Sequence, residues 1–158
     1  MAGTMTARAA AERGSVVETL EWELMLLVRS LEAVQRKRSY PLERAHYLLL
    51  GVLEREGPQS IAALATHLLL DGSTVTRQVA TMEDLGLVAK APHPQDGRST
   101  LIQATAHGRR EAAKMRNLRL RRVQALLADW DGKERATFAA LLGKLNVSLS
   151  TVLSAPER

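Results

Sequence analysis

From position 60 the chain reads Ser-Ile-Ala-Ala-Leu-Ala-Thr-His-Leu-Leu-Leu-Asp-Gly-Ser-Thr-Val-Thr-Arg-Gln-Val, ending at 79. Within it Ser73, Thr74, Thr76, Arg77 and Gln78 crowd around Val75 and Val79. On a helix the two valines share one face and turn inward, which leaves the polar side chains outward. Hydroxyls and the free amides of a helix N-terminus bind phosphate oxygens, and Arg and Gln make paired hydrogen bonds to guanine and adenine edges. That is the chemistry of a helix entering the major groove of duplex DNA by its first turns. The same residues also suit a structural helical hairpin whose Ser and Thr only cap and solvate.

A second group stands at the Asp96-Gly97-Arg98 turn. Arg98 falls just past the tip, placed to reach a minor groove beside the major-groove helix. Asp96 can accept from turn amides or from the Arg98 guanidinium and so hold the tip in shape. Taken alone, Asp-Gly-Arg is a common surface turn. Catalytic and metal chemistry find no such footing. His46, His67, His93 and His107 lie in separate segments without a His-Glu-x-x-His spacing, so no metal site is expected. The chain has no Gly-x-Gly-x-x-Gly, no phosphate-cradling Gly-rich loop, no Gly-x-Ser-x-Gly elbow and no Cys nucleophile. No enzyme activity and no cofactor are expected.

The elements that must position these groups follow from periodicity. Residues 1–14 are small, polar and aperiodic, and read as a mobile tail. Val16, Leu20, Leu24, Leu27, Leu31 and Val34 recur at helical spacing and end at Tyr40-Pro41. A second helix places Ala45, Leu48, Leu49, Val52 and Leu53 on one face and stops at Gly57-Pro58. Ser60 can cap a third carrying Ile61, Leu64, Ala65 and Leu68. A turn near Asp71-Gly72 leads to the fourth, with Val75, Val79, Met82 and Leu85 inward and Gly86 at the left-handed C-terminal position. Residues 87–91 and 98–104 read as a β-hairpin whose two tip prolines stay out of regular pairing. Thr105 can cap a fifth helix running to about Trp130, with Ala112, Met115, Val123, Leu126, Leu127 and Trp130 apolar. After Asp131-Gly132 a sixth carries Phe138, Leu141, Leu142, Leu145, Leu149, Val152 and Leu153.

The expected fold is therefore mainly α with a small β-hairpin wing: a winged helix-turn-helix plus terminal helices. The first and last two helices have apolar stripes longer than one small domain needs, and two chains intertwining them make a homodimer the simplest architecture. Composition agrees with a single domain plus an oligomerisation arm. The chain has 158 residues, of which 46% are apolar, 25% charged and 3% aromatic. Absence of Cys excludes disulfide scaffolds, thiolate metal sites and thiol redox sensing. No apolar run approaches the roughly 20 residues of a membrane span, and residues 1–14 lack the apolar stretch of a secretion signal. A soluble protein of the cytoplasm, without a membrane partner, is the expectation.

Charge is +5 overall, which suits a polyanionic partner, but residues 109–122 hold 7 basic against 1 acidic and carry nearly all the excess. Residues 60–108 hold only Arg77, Lys90 and Arg98. The basic stretch reads either as a solvated helix whose Arg stems cover apolar surface, or as partners for an acidic ligand or intersubunit carboxylates through Arg116, Arg119 or Arg122.

Residues 42–108 resemble the MarR family of winged-helix transcriptional regulators. Three pieces carry the likeness in order: Leu64-Ala65 to Leu68 followed by Ser73-Thr74-Val75-Thr76-Arg77, then Met82-Glu83-Asp84-Leu85-Gly86-Leu87-Val88, then Asp96-Gly97-Arg98 running into Thr105-Ala106-His107-Gly108. With the tail at 1–14, the chain is expected to divide into an N-terminal dimerisation helix at 15–40, a winged helix-turn-helix at 41–108 and C-terminal dimerisation helices at 109–158. The resemblance implies a recognition helix over 73–85 and a homodimeric repressor on a palindromic duplex operator. DNA contacts then fall to Ser73, Thr74, Thr76, Arg77, Gln78, Lys90, His93 and Arg98, with Asp96 and Gly97 shaping the wing. Arg36, Lys37, Arg38, Arg109 and Arg110 would add phosphate contacts. In many relatives a small aromatic or anionic ligand wedges between dimer arm and DNA lobe. Trp22, His46, Tyr47 and Met115 are the candidates for lining such a pocket, although His46 and Tyr47 read first as a packed pair at a helix start and Trp22 suits packing at the dimer interface equally. The alternative from another class is a winged-helix module that binds protein and not DNA.

Overall fold

A computed structural model describes residues 15–36, 40–92 and 100–154. The chain divides into two units, 1–39 and 40–158. The first holds α1 (Val16–Arg36); the second holds α2 (Arg44–Glu56), α3 (Ile61–Leu68), α4 (Gly72–Asp84), β1 (Val88–Pro92), β2 (Thr100–Ala104), α5 (Ala106–Leu126) and α6 (Gly132–Ser154). This is the expected mainly helical chain with one β-hairpin after a helix-turn-helix. The expected tail at 1–14 lies outside the described residues, as do Lys37 and Arg38.

Helix α1 starts on a reciprocal cap: the Ser15 amide donates to Glu18 Oε2 at 2.6 Å and the Glu18 amide to Ser15 Oγ at 3.3 Å. Its stripe from Val16 to Val34 is exposed along the whole helix.

The second unit is built around α2, which touches α3, α4, β2 and α5. Three leucines in a row at 48–50 leave the helix phase open in sequence. Leu49, Val52 and Leu53 of the expected face are buried, but Leu48 is 47% exposed and Ala45 half-buried, and His46 and Leu50 are buried in their place. Neighbours on several sides widen and rotate the buried arc beyond a simple stripe. Leu64, Val75, Met82, Ile102 and Met115 are among the residues that join it in this core.

Ser60 caps α3 as expected, its Oγ accepting from the Ala63 amide at 3.2 Å. The helix ends at Leu68, the last apolar position of its stripe. Leu69 adopts the left-handed conformation (φ 54°, ψ 48°), and the Leu70 amide reaches back to the Ala65 carbonyl at 3.0 Å. Gly72 is already the first residue of α4, and Asp71 is its N-cap without a side-chain bond. At the other end of α4, Gly86 (φ 66°) takes the expected left-handed position. Its amide bonds Glu83 O at 2.9 Å and that of Leu87 bonds Met82 O at 2.8 Å.

Strands β1 and β2 pair antiparallel from Val88↔Ala104 to Pro92↔Thr100. Pro92, expected outside the pairing, is the last rung, where its missing N–H interrupts nothing further along β1. The free edge of β2 is met by Gln59, whose amide donates to Ile102 O at 3.0 Å and whose carbonyl accepts from Ile102 N at 2.7 Å. This one-residue third strand carries no sequence pattern of its own.

Thr105 fastens the hairpin to both helices beside it. Its Oγ1 accepts from the Gly108 amide at 2.9 Å, capping α5, and donates to Gly86 O at 2.7 Å. Its own amide donates to Leu87 O at 3.0 Å. Gly108 sits so close to this junction that a Cβ there would stand 2.0 Å from the Leu87 carbonyl oxygen.

Helix α5 ends at Leu126 and not near Trp130; Arg135 Nη2 seals the end by donating to Leu127 O at 2.9 Å. Only Gly108, Ala112 and Met115 of α5 are buried, while Val123 and Leu126 are exposed. Helix α6 opens on a second reciprocal cap between Asp131 and Glu134. Phe138, Leu141, Leu149, Val152 and Leu153 remain exposed. Residues Gly132–Leu153 reach a mean hydropathy of 1.4, long and apolar enough to cross a membrane by length and composition. The expectation that no stretch comes near a span is corrected to that extent: the apolar residues are interleaved with Ser, Thr and Asn, so no uninterrupted run announces them.

Candidate nucleic-acid interface

Helix α4 packs Val75, Val79 and Met82 into the core, which fixes its rotation about its own axis. Ser73, Thr76 and Arg77 are thereby turned outward. Thr76 Oγ1 donates to Gly72 O at 2.8 Å, which sets its rotamer and points the remaining lone pairs away from the backbone. Thr81 Oγ1 does the same to Arg77 O at 3.2 Å. No hydrogen bond or ion pair among the described residues engages the Arg77 guanidinium. Thr74 and Gln78, expected outward with the rest, are half-buried, and Gln78 Oε1 is enclosed without a hydrogen-bond partner among the described residues. Both border the valine stripe, one residue before each valine, so they share its edge. The outward face is narrower than residue types suggest.

Beside this face stands the base of the hairpin. Lys90 on β1 donates to Glu83 Oε2 on α4 at 2.7 Å, with the lysine side chain 61% and the glutamate 26% exposed. Sequence reasoning treats Lys90 as a free cation and misses this pair, because nothing local relates a strand residue to a helix seven positions earlier. His93, Asp96, Gly97 and Arg98 lie outside the described residues.

The basic stretch of α5 is largely engaged. Arg109 Nη1 donates to Ala104 O at 2.7 Å and braces the end of β2. Lys114 hydrogen-bonds Glu111 at 2.7 Å, and this bond holds the Glu111 carboxyl below its usual range. Three arginines spaced by three residues then face α2 and its approach. Arg116 pairs with Glu54, the Arg119 guanidinium lies 5.5 Å from the centre of the Tyr47 ring, and that of Arg122 lies 4.3 Å from the centre of the Tyr40 ring. Arg122 Nη1 is buried without a hydrogen-bond partner among the described residues. The i, i+3 spacing is the one sequence signal for this ladder.

The ligand candidates separate. Met115 is a fully buried core residue and His46 is 4% exposed. Tyr47 is half-buried under Arg119. Trp22 is exposed on α1, in the other unit. A further open depression of about 360 Å³, not singled out by sequence, is lined by Trp130, Lys133, Glu134, Thr137, Phe138 and Leu141. There Trp130 and Phe138 meet edge to face at 5.3 Å.

A helix-turn-helix whose second helix bares Ser73, Thr76 and an Arg77 unengaged among the described residues, beside a β-hairpin, is a winged-helix DNA-binding module. A sequence model of the MarR family matches residues 40–99. The uncharacterized HTH-type transcriptional regulator YxaD of Bacillus subtilis (strain 168) is 35% identical over 132 residues, which span 82% of this chain and 92% of YxaD. The chain belongs to the MarR family, whose members are DNA-binding transcriptional regulators. Solved structures agree. A MarR family protein from Bacillus stearothermophilus is similar at TM-score 0.68 and 26% identity, covering 84% of this chain and 97% of that one. The PcaV transcriptional regulator of Streptomyces coelicolor, solved in complex with its natural ligand, is similar at TM-score 0.62 and 26% identity, covering 78% and 91%.

Proposed function

We propose that this protein is a cytoplasmic homodimeric repressor that binds a palindromic operator and is released by a small aromatic or anionic molecule. The observation that carries the reading is the outward face of α4, where Ser73 and Thr76 flank an Arg77 that no neighbour among the described residues holds. Arg77 supplies bidentate readout of a guanine edge, and the hydroxyls near the helix start meet phosphates. Thr74 and Gln78 act from the border of that face, while His93 and Arg98 serve the wing, with Asp96 and Gly97 shaping it. Two-fold symmetry sets two such helices into successive major grooves, about one helical turn apart. Support for two chains comes from the exposed apolar side chains of α1 and α6, which far exceed the scatter of a monomer surface.

The ligand reading rests on the seam between α2 and α5, where Tyr47 offers a ring face and Arg119 a cation. Such a molecule acts by binding one conformation of the dimer better than the other, so operator DNA must weaken it by the same factor. The test is a footprint of the purified protein on the DNA upstream of its own gene, with excess random duplex as competitor. A protected pseudo-palindrome is expected. Failure to retain duplex at low salt would overturn the reading in favour of a protein-binding winged helix.

A further inference from the structure

The last turn of α4 breaks a rule of helix electrostatics. It carries Glu83 and Asp84 and no basic residue, although the carbonyl end of a helix favours cations. Glu83 follows Thr76 by seven residues, two turns on and about 20° round, so it ends the same outward row at about 10 Å further along. Across from it, Lys90 stands two residues after the buried Val88 and therefore on the hairpin face that meets α4. Its ammonium crosses to Glu83 Oε2 at 2.7 Å, although the side chain is 61% exposed. Charge, not burial, holds it there.

Resting on the DNA-binding reading above, we propose that Glu83 is a positioning residue that withholds Lys90 from DNA phosphates and so keeps duplex affinity below what the cations of this lobe would allow. Carboxylate and phosphate oxygens compete for the same ammonium, and the carboxylate is already in place. When the ammonium leaves for a phosphate, it bares the Glu83 charge beside a polyanion, so the glutamate opposes binding on either path. The supply of cations makes this matter: residues 60–108 hold only Arg77, Lys90 and Arg98.

The test uses the full chain, a short random-sequence duplex and a salt titration of wild type, Glu83→Gln, Glu83→Asp, Lys90→Gln and the Glu83→Gln/Lys90→Gln double variant. Circular dichroism shows that each is folded. Glu83→Gln is expected to steepen the dependence of log K on log salt by about 0.9 per bound chain, an extra loss of about 3.5-fold between about 50 and 200 mM salt. Adding Lys90→Gln to it should remove that increment. Lys90→Gln in the wild-type background should remove less than half as much, and Glu83→Asp should track wild type. An unchanged slope in Glu83→Gln, or equal flattening by Lys90→Gln in both backgrounds, overturns the proposal while leaving DNA binding intact. Wild type that retains no duplex at the lowest salt overturns the DNA-binding reading and this one with it.

Discussion

Arg77 and Gly108 show two ways in which one position matters, the first by a side chain that is present and the second by one that has no room. Arg77 is outward and unengaged among the described residues, so Arg77→Ala should leave stability unchanged, cost about 1–3 kcal/mol of operator binding and relax base preference at one position, as read by competition among operator variants. Gly108 has no room for a Cβ beside the Leu87 carbonyl, a backbone group that cannot step aside. Gly108→Ala is expected to lower stability by about 1–3 kcal/mol in urea denaturation and to disturb the hairpin base. The polar residues of α4 and the Thr105 cap are legible in sequence, because residue type and local spacing decide them. The half-burial of Gln78 and the capture of Lys90 by Glu83 are not, since they depend on what the fold brings alongside.

Among the elements, starts and stops written in side-chain chemistry are the ones that sequence reveals. Ser60, Gly86 and Thr105 stand where capping rules place them, and the structure shows their bonds. The turn between α3 and α4 escapes that logic because a leucine, not a glycine, takes the left-handed conformation at 69. A non-glycine residue there carries roughly 1–2 kcal/mol of backbone strain. Leu69→Gly is therefore expected to raise the urea midpoint, and Leu69→Val, branched at Cβ, to lower it. Phase in α2 escapes too, because consecutive leucines at 48–50 satisfy several faces equally well. The Gln59–Ile102 bridge escapes because one residue pair has no periodicity. Thr105→Ala should cost about 1 kcal/mol through the lost α5 cap, more than a surface change, and amide exchange near Gly86 and Leu87 should rise with it.

Across the described residues, exposed large apolar side chains gather chiefly on α1 and α6. If a second copy covers them, sedimentation at micromolar concentration gives twice the chain mass, and the melting temperature rises with concentration. Leu145→Asp together with Leu149→Asp should yield monomers and lower operator affinity by at least about tenfold, since each half-site is then bound alone. Unchanged mass in that variant would mean that α6 does not join the copies. At this scale sequence reveals the order of helices and the hairpin, while the apolar stripes of the terminal helices carry no local signal of what covers them.

The tight seat of Gly108 has a mechanical meaning. With Gly108 leaving no room for a side chain beside Leu87 O and Thr105 bonded to Gly86, the start of α5 is tied to the end of α4 and the start of β1. Twenty-one residues make α5 about 30 Å long. As a lever of that length, it converts a sideways shift of about 2 Å at its far end into a rotation of about 4° at the lobe. Under the function proposed above, an event far from the DNA is expected to re-aim Arg77 without deforming the helix that carries it.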